Sequence, residues 1–263
     1  MENQKYKITK EQPLLSIVLP CYNEEDIIQD TLTKLTEYMD NYFARRNDIL
    51  KEEPEALFYE VVPVSDGSKD RTNEILLEMK EKHPAIHPVI YAPNRGKGGA
   101  VKEGMSNAKG QYVMFMDADL SVHPRHIDTL LKHFDNYDVV VGSRHMEGST
   151  DANPSSLLRK MMSEVSIILT HIVIPYFKLT DTQCPLKGFT QEATKKIIEK
   201  QTLNNFSFDV EMLAIAALNG YKITQMPVEF NNRLEGSKVN PIKDSLNYIR
   251  DMFYIRGKKK HYE

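Results

Sequence analysis

From Leu15 to Arg144 the chain repeats one pattern: a short apolar run, a polar cluster, then a segment whose apolar residues recur three and four apart. The runs are LSIVLPC, FYEVVPV, HPVIYAP, QYVMFM and YDVVVGS. Segments this short and this continuously apolar predict strands buried on both faces. After the first run, Ile28, Leu32, Leu35, Met39 and Phe43 set a helical period over residues 25–46. The polar stretch RRNDILKEEPEA then reads as a loop. Residues 70–82, with Asp70 as N-cap, and the segments NRGKGGAVKEGMSNA and HPRHIDTLLKHF supply further helices. This alternation predicts an α/β fold with a mostly parallel central sheet flanked by helices.

In a parallel sheet, ligands gather beyond the carboxyl ends of the strands. The polar clusters fall there: Tyr22-Asn23-Glu24, Asp66-Gly67-Ser68, Asn94-Arg95-Gly96-Lys97, Asp117-Ala118-Asp119 and Gly142-Ser143-Arg144. Asp117 and Asp119 are two carboxylates one residue apart at a strand tip. That arrangement suits a hard divalent cation, Mg2+ or Mn2+. Asp66, beside the turn-forming Gly67, is placed to accept hydrogen bonds from a base or a ribose. The run from Asn94 to Ala100 resembles a phosphate cradle, with backbone N–H groups and Lys97 ahead of a helix. It fits neither GxxxxGK[ST] nor GxGxxG, which argues against ATP or NAD. Arg144, together with Arg233 and Lys238 in NNRLEGSK, supplies loop cations suited to phosphate.

Beyond residue 150 the alternation stops. Residues 157–177, LLRKMMSEVSIILTHIVIPYF, are rich in Met, Ile and Leu and read either as a core helix or as a helix lying on a bilayer. In the second case Arg159 and Lys160 face lipid headgroups, and the basic run Arg256-Gly257-Lys258-Lys259-Lys260-His261 adds attraction to anionic lipid. No run of 18 apolar residues exists, and the start MENQKYKITKEQ lacks the apolar run of a signal peptide, so membrane contact is expected to be peripheral. Two distant cysteines, Cys21 and Cys184, make no disulfide framework and fit a reducing, cytoplasmic setting. With 34 Lys plus Arg against 37 Asp plus Glu, nothing marks a nucleic-acid binder. The expected organisation is a polar extension over 1–13, one domain over 14–240, and a helix with a basic tail over 241–263.

VLPCYNEE, VSDGSKDRT, NRGKGGAVKEGM, MDADLS, VVGSR, DTQCPLKGF and FSFDVEMLAIAALNGYKITQMPVEF follow one another in that order. Together they resemble the family-2 glycosyltransferases of the GT-A (Rossmann-like) fold. Within that family they resemble the branch that makes polyprenyl-phosphate sugars, the dolichyl-phosphate β-glucosyltransferases and mannose synthases. The resemblance implies a nucleotide-sugar donor, a polyprenyl-phosphate acceptor and work at the cytoplasmic face of a membrane. It implies that Pro20, Tyr22, Glu24 and Asp66 line the nucleotide pocket, with Lys97 near the nucleotide. Asp117, with Ala118, orients the donor, and Asp119 ligates the metal. Arg144 and Arg233 neutralise phosphate, while Asp181, Gln183 and Lys238 border the acceptor and sugar. The sequence departs from the family pattern at Ser65, where a second acid is usual, and at Pro185, where Gly is commoner. NRGKGGAV and DTQC resemble the glucosyl branch, which favours UDP-glucose. DADLS followed by His123-Pro124 resembles the mannosyl branch and keeps GDP-mannose as an alternative. The expected chemistry is an inverting displacement at the anomeric carbon. A phosphate acceptor needs no strong base, whereas a hydroxyl of a glycan or wall polymer needs one, and Asp181, Asp209 and Glu211 are then the candidates.

Overall fold

The computed structural model describes residues 5–151, 170, 179–231 and 241–263. In chain order its first half runs β1 (Tyr6–Ile8), β2 (Leu15–Cys21), α1 (Ile28–Phe43), β3 (Ile49–Lys51), β4 (Tyr59–Asp66), α2 (Thr72–Lys82), β5 (Val89–Tyr91), α3 (Lys97–Asn107), β6 (Tyr112–Met116), α4 (His126–His133) and β7 (Val139–Ser143). Then follow β8 (Thr150–Asp151), β9 (Leu186–Thr190), α5 (Gln191–Lys200), α6 (Phe208–Leu218), β10 (Ile223–Pro227), β11 (Glu229–Phe230), α7 (Pro241–Gly257) and α8 (Lys259–Tyr262).

All five apolar runs are strands of one seven-stranded sheet, ordered β10-β7-β9-β6-β2-β4-β5. Every neighbouring pair is parallel except the two made by β9, which runs antiparallel between β6 and β7. The carboxyl ends of β2, β4, β5, β6 and β7 therefore share one edge. Strand order reverses at β2, with β4 on one side and β6 on the other. That is the switch point at which an open α/β sheet leaves a crevice.

Two apolar layers hold the sheet between helices. One contains Ile28, Leu32, Leu35 and Met39 of α1, Leu76 of α2 and Leu130 of α4. The other contains Ala100 and Met105 of α3, Ile197 of α5, Met212 of α6, and Tyr248 and Met252 of α7. Their three-and-four spacing on α1 is the period that the sequence displays. Helix α3 lies close against the sheet because Gly104 has no side chain: a Cβ there falls 2.3 Å from Val18 Cγ1.

Several expectations need correction. RRNDILKEEPEA is not all loop, since it contains β3, which pairs in parallel with β1. The extension over 1–13 likewise contributes a strand, with Ile8 fully buried. Asp70 precedes the first helical turn, where its Oδ1 accepts the Thr72 N–H at 3.0 Å and its Oδ2 the Glu25 N–H at 3.1 Å. The end of the basic tail is docked on the fold. Tyr262 is fully buried, its hydroxyl donates to Glu211 Oε1 at 2.7 Å, and its carbonyl accepts from Asn219 Nδ2 at 2.7 Å. Among the described residues no helix is long and apolar enough to cross a membrane. The membrane-helix expectation over 157–177 lies outside the described residues except Thr170, which is buried.

Removing the Tyr262 ring empties a core position. Tyr262→Ala is expected to lower unfolding stability by about 3 kcal/mol, and Tyr262→Phe by about 1 kcal/mol through the lost hydrogen bond, read from urea midpoints.

Candidate active site

Asp117, Ala118 and Asp119 continue β6 past its last ladder residue. Ala118 is buried, whereas the two aspartates on either side are partly exposed, and Leu120 N–H donates to Asp117 O at 3.1 Å, which makes the segment a turn. The Thr31 hydroxyl on α1 donates to Ala118 O at 2.6 Å and fixes the segment from beneath. Ser121 N–H donates to Asp119 Oδ1 at 2.9 Å, and Leu120 takes a left-handed φ of 53° to close the turn. Asp119 Oδ2 takes no hydrogen bond among the described residues. Lys97 Nζ lies 2.6 Å from Asp117 Oδ1. Burial works against the charge on Lys97, but the carboxylates of Asp117, Asp209 and Asp119 hold its pKa above the ordinary lysine value.

The Asn94–Ala100 loop is not the cradle that its glycines suggest. Arg95 N–H and Gly96 N–H donate to the two oxygens of Asp66, at 2.6 and 2.8 Å. Gly98 and Gly99 N–H both point at the carbonyl of Asn204, at 2.8 and 3.4 Å. These four donors are thus committed inside the protein, and the loop offers its side chain, Lys97, instead. The same bonds revise Asp66. It is 3% exposed, also accepts from Tyr91 OH at 2.7 Å, and anchors this loop rather than meeting a base or ribose as expected. Ser65, in the place of the usual second acid, is fully buried and donates to Ser68 Oγ at 2.9 Å.

Pro20, Tyr22 and Glu24 end β2 at the crevice and are all partly exposed. Glu24 N–H donates to Thr72 Oγ1 at 2.8 Å, and Asn23 N–H to Ser68 Oγ at 3.1 Å, which ties the β2 loop to the β4 loop.

Arg144 ends β7 and grips Asp181 with a fork: Nε to Oδ2 at 2.6 Å and Nη2 to Oδ1 at 2.9 Å. The Arg144 and Gln183 N–H groups add two more donors to the same carboxylate, each at 3.1 Å. Burial pushes the Asp181 pKa upward, but these bonds and the guanidinium charge prevail and leave it below the ordinary value. The Gln183 side chain is exposed. Cys184 is buried, and burial pushes its thiol up to about 12, so it is no nucleophile at neutral pH. Arg233 and Lys238 lie outside the described residues.

Of the other two candidate bases, Glu211 is sealed. Its oxygens accept from Thr202 N–H, Thr202 Oγ1, Leu203 N–H and Tyr262 OH. Asp209 accepts from Lys187 Nζ at 2.6 Å. Lys187 is fully buried in β9 and was missed among the site residues, although a lysine inside the apolar run LKGFT requires a buried anion.

Residues 16–201 match the family described as Glycosyl transferase family 2. A dolichyl-phosphate beta-glucosyltransferase of Trichomonas vaginalis is 34% identical over 248 residues, covering 92% of this chain and 72% of that protein. The Homo sapiens dolichyl-phosphate beta-glucosyltransferase is 29% identical, covering 92% and 74%. In structure the chain is similar to glucosyl-3-phosphoglycerate synthase from Mycobacterium tuberculosis in complex with Mn2+, UDP and glucosyl-3-phosphoglycerate, with a TM-score of 0.62 at 15% identity over 94% of this chain and 80% of that one. It is also similar to S. aureus TarS in complex with UDP-GlcNAc, with a TM-score of 0.57 at 19% identity over 92% and 66%. The GT-A fold, the carboxylate pair at the tip of β6 and a family match over most of the sheet converge, and the chain belongs to glycosyltransferase family 2.

Proposed function

We propose that this glycosyltransferase moves glucose from UDP-glucose to a polyprenyl phosphate, with inversion at the anomeric carbon. The observation that carries the acceptor class is the state of the carboxylates. Around the Asp117-Ala118-Asp119 turn, Asp181, Asp209 and Glu211 are each bound by a cation or by several donors. A hydroxyl acceptor requires a positioned base, whereas a phosphate arrives already anionic. Arg144 suits such an anion. Its Nε and Nη2 serve Asp181, and its Nη1 makes no hydrogen bond among the described residues. The relatives named dolichyl-phosphate beta-glucosyltransferase support glucose and the lipid class.

Asp117 and Asp119 fit a divalent ion. Both are partly exposed beyond the end of β6, and Asp117 Oδ1 is buried with no hydrogen bond, only the charge of Lys97 beside it. Among the described residues no third acidic, His or Cys side chain completes a cage, as expected where substrate oxygens fill the shell of Mg2+ or Mn2+. Bound there, the ion supplies positive charge for the departing diphosphate. Lys97 adds a fixed cation on the same side, and Arg144 orients the attacking phosphate oxygen. Pro20, Tyr22 and Glu24 line the nucleotide side of the crevice, with Arg233, Lys238 and Gln183 bordering the acceptor. Access to a lipid acceptor suits peripheral attachment at a cytoplasmic membrane face. The exposed Phe253 (65%) and Ile249 (38%) of α7, near the basic tail, support that placement together with residues 157–177.

Asp119→Asn is expected to reduce turnover at least about a hundredfold with an unchanged melting temperature. Radiolabelled UDP-glucose should label polyprenyl phosphate in detergent but not the corresponding polyprenol. Labelling of the alcohol, or of a soluble glycan alone, would overturn the acceptor class, and labelling only from GDP-mannose would overturn the donor.

The depressed pKa of Asp181 also has a sign. Its contribution to stability is fully present above the ordinary carboxylate value of 3.8 and is lost as pH falls through the lower folded value. Asp181→Asn is therefore expected to flatten the dependence of unfolding free energy on pH below about 4, measured by urea denaturation.

A further inference from the structure

Phe230, the second residue of β11, touches both halves of the site and has no part in the steps above. Its backbone belongs to the Asp119 side. Residue 230 bridges Val122 in the antiparallel sense, and the next N–H, that of Asn231, donates to Ser121 O at 2.8 Å. Ser121 is the residue whose N–H holds Asp119 Oδ1 at 2.9 Å. One residue before Phe230, the Glu229 N–H donates to His126 Nε2 of α4 at 2.9 Å, and the Glu229 carboxylate pairs with Arg125. The Phe230 side chain belongs to the Arg144 side. The guanidinium carbon of Arg144 lies over its ring, 5.2 Å from the centroid. At that separation the ring quadrupole attracts the cation. The residue ahead of β11 is tied to the neighbour of Arg144, since Val228 N–H donates to Ser143 O at 3.1 Å.

Resting on the phosphate-acceptor reading above, we infer that Phe230 is a positioning residue: its ring fixes the tilt of the Arg144 guanidinium and so sets the acceptor cation at a constant place relative to Asp119. The Asp181 fork alone leaves one freedom. Its two hydrogen bonds, Nε to Oδ2 and Nη2 to Oδ1, run along one edge of a planar group, which can still pivot about that edge. A ring against the guanidinium opposes the pivot. The ring is carried by backbone bonds to the Asp119 turn, and these do not depend on which side chain stands at position 230. Donor and acceptor sides of the site are thereby referred to one short strand. Such precision matters to an in-line attack, where a misplacement of about 1 Å costs on the order of a hundredfold in rate. A phenyl group that served packing alone would be replaceable by another apolar side chain of similar volume.

The test sets steady-state transfer of glucose from UDP-glucose to polyprenyl phosphate in detergent beside calorimetric titration of UDP in the presence of Mn2+. Phe230→Leu keeps an apolar side chain and removes the ring. It is expected to lower kcat/KM for polyprenyl phosphate about tenfold while UDP affinity stays within about twofold of wild type. Phe230→Trp keeps a ring face and should return kcat/KM to within about threefold of wild type. In an Arg144→Lys background, which has no planar guanidinium to tilt, Phe230→Leu should have no further effect. Phe230→Met takes its place if Phe230→Leu does not fold. An equal loss in the wild-type and Arg144→Lys backgrounds, UDP affinity falling in step with kcat/KM, no rescue by Phe230→Trp, or full activity of Phe230→Leu would each show a packing role and overturn the inference. A wild-type protein that glucosylates no polyprenyl phosphate would overturn the acceptor reading, and the inference with it, and is read before any variant is made.

Discussion

A carboxylate withdrawn from water must find cations or hydrogen-bond donors, and that requirement organises this sheet edge. Asp66 gathers two loop N–H groups and a tyrosine. Asp181 takes the guanidinium fork of Arg144, Asp209 takes Lys187, and Glu211 takes the 202–203 backbone and Tyr262. Each commitment fixes a loop in place. What remains is Asp117 and Asp119, partly exposed on the turn beyond β6, the first beside the Lys97 ammonium and the second accepting the Ser121 N–H. The buried acids thus fix the loops that surround the two partly exposed ones.

The same bonds link distant pieces of chain. Glu211 holds residues 202 and 203, Asn204 next to them receives the first N–H groups of α3, and α3 begins with Lys97 beside Asp117. The far end of the chain reaches that relay through Tyr262. Packing on one face of the sheet is therefore coupled to the charge arrangement at its edge.

Much of this was legible in the sequence. Five apolar runs gave five parallel strands, and their polar ends do meet, because side-chain burial alone dictates that pattern. What escaped notice depended on long-range partners. The glycines of residues 96–99 resemble an anion cradle until Asn204, about a hundred residues on, is seen to occupy two of their N–H groups. Asp66 has the look of a ligand contact because its own loop partners lie near residue 95. Strand β9 was unread because LKGFT is short and holds both a lysine and a glycine, and β1 and β3 are three-residue strands with little periodicity to display. Lys187 carried a signal, a charge in an apolar run, but nothing local named its partner.

The insertion of β9 between β6 and β7 imposes an order of assembly. The half made of β2, β4, β5 and β6 is local in sequence and has its partners as soon as residue 116 is in place. The inner edge of β6 stays open until residues 186–190 emerge from the ribosome, and β7 has no neighbour at all before then. Closing that gap requires contacts across about seventy residues, the kind of pairing that slows folding and leaves backbone amides bare to other chains meanwhile. The strand that leads into Asp117 and Asp119 is thus enclosed late, and only β7, which waits for β10, is enclosed after it.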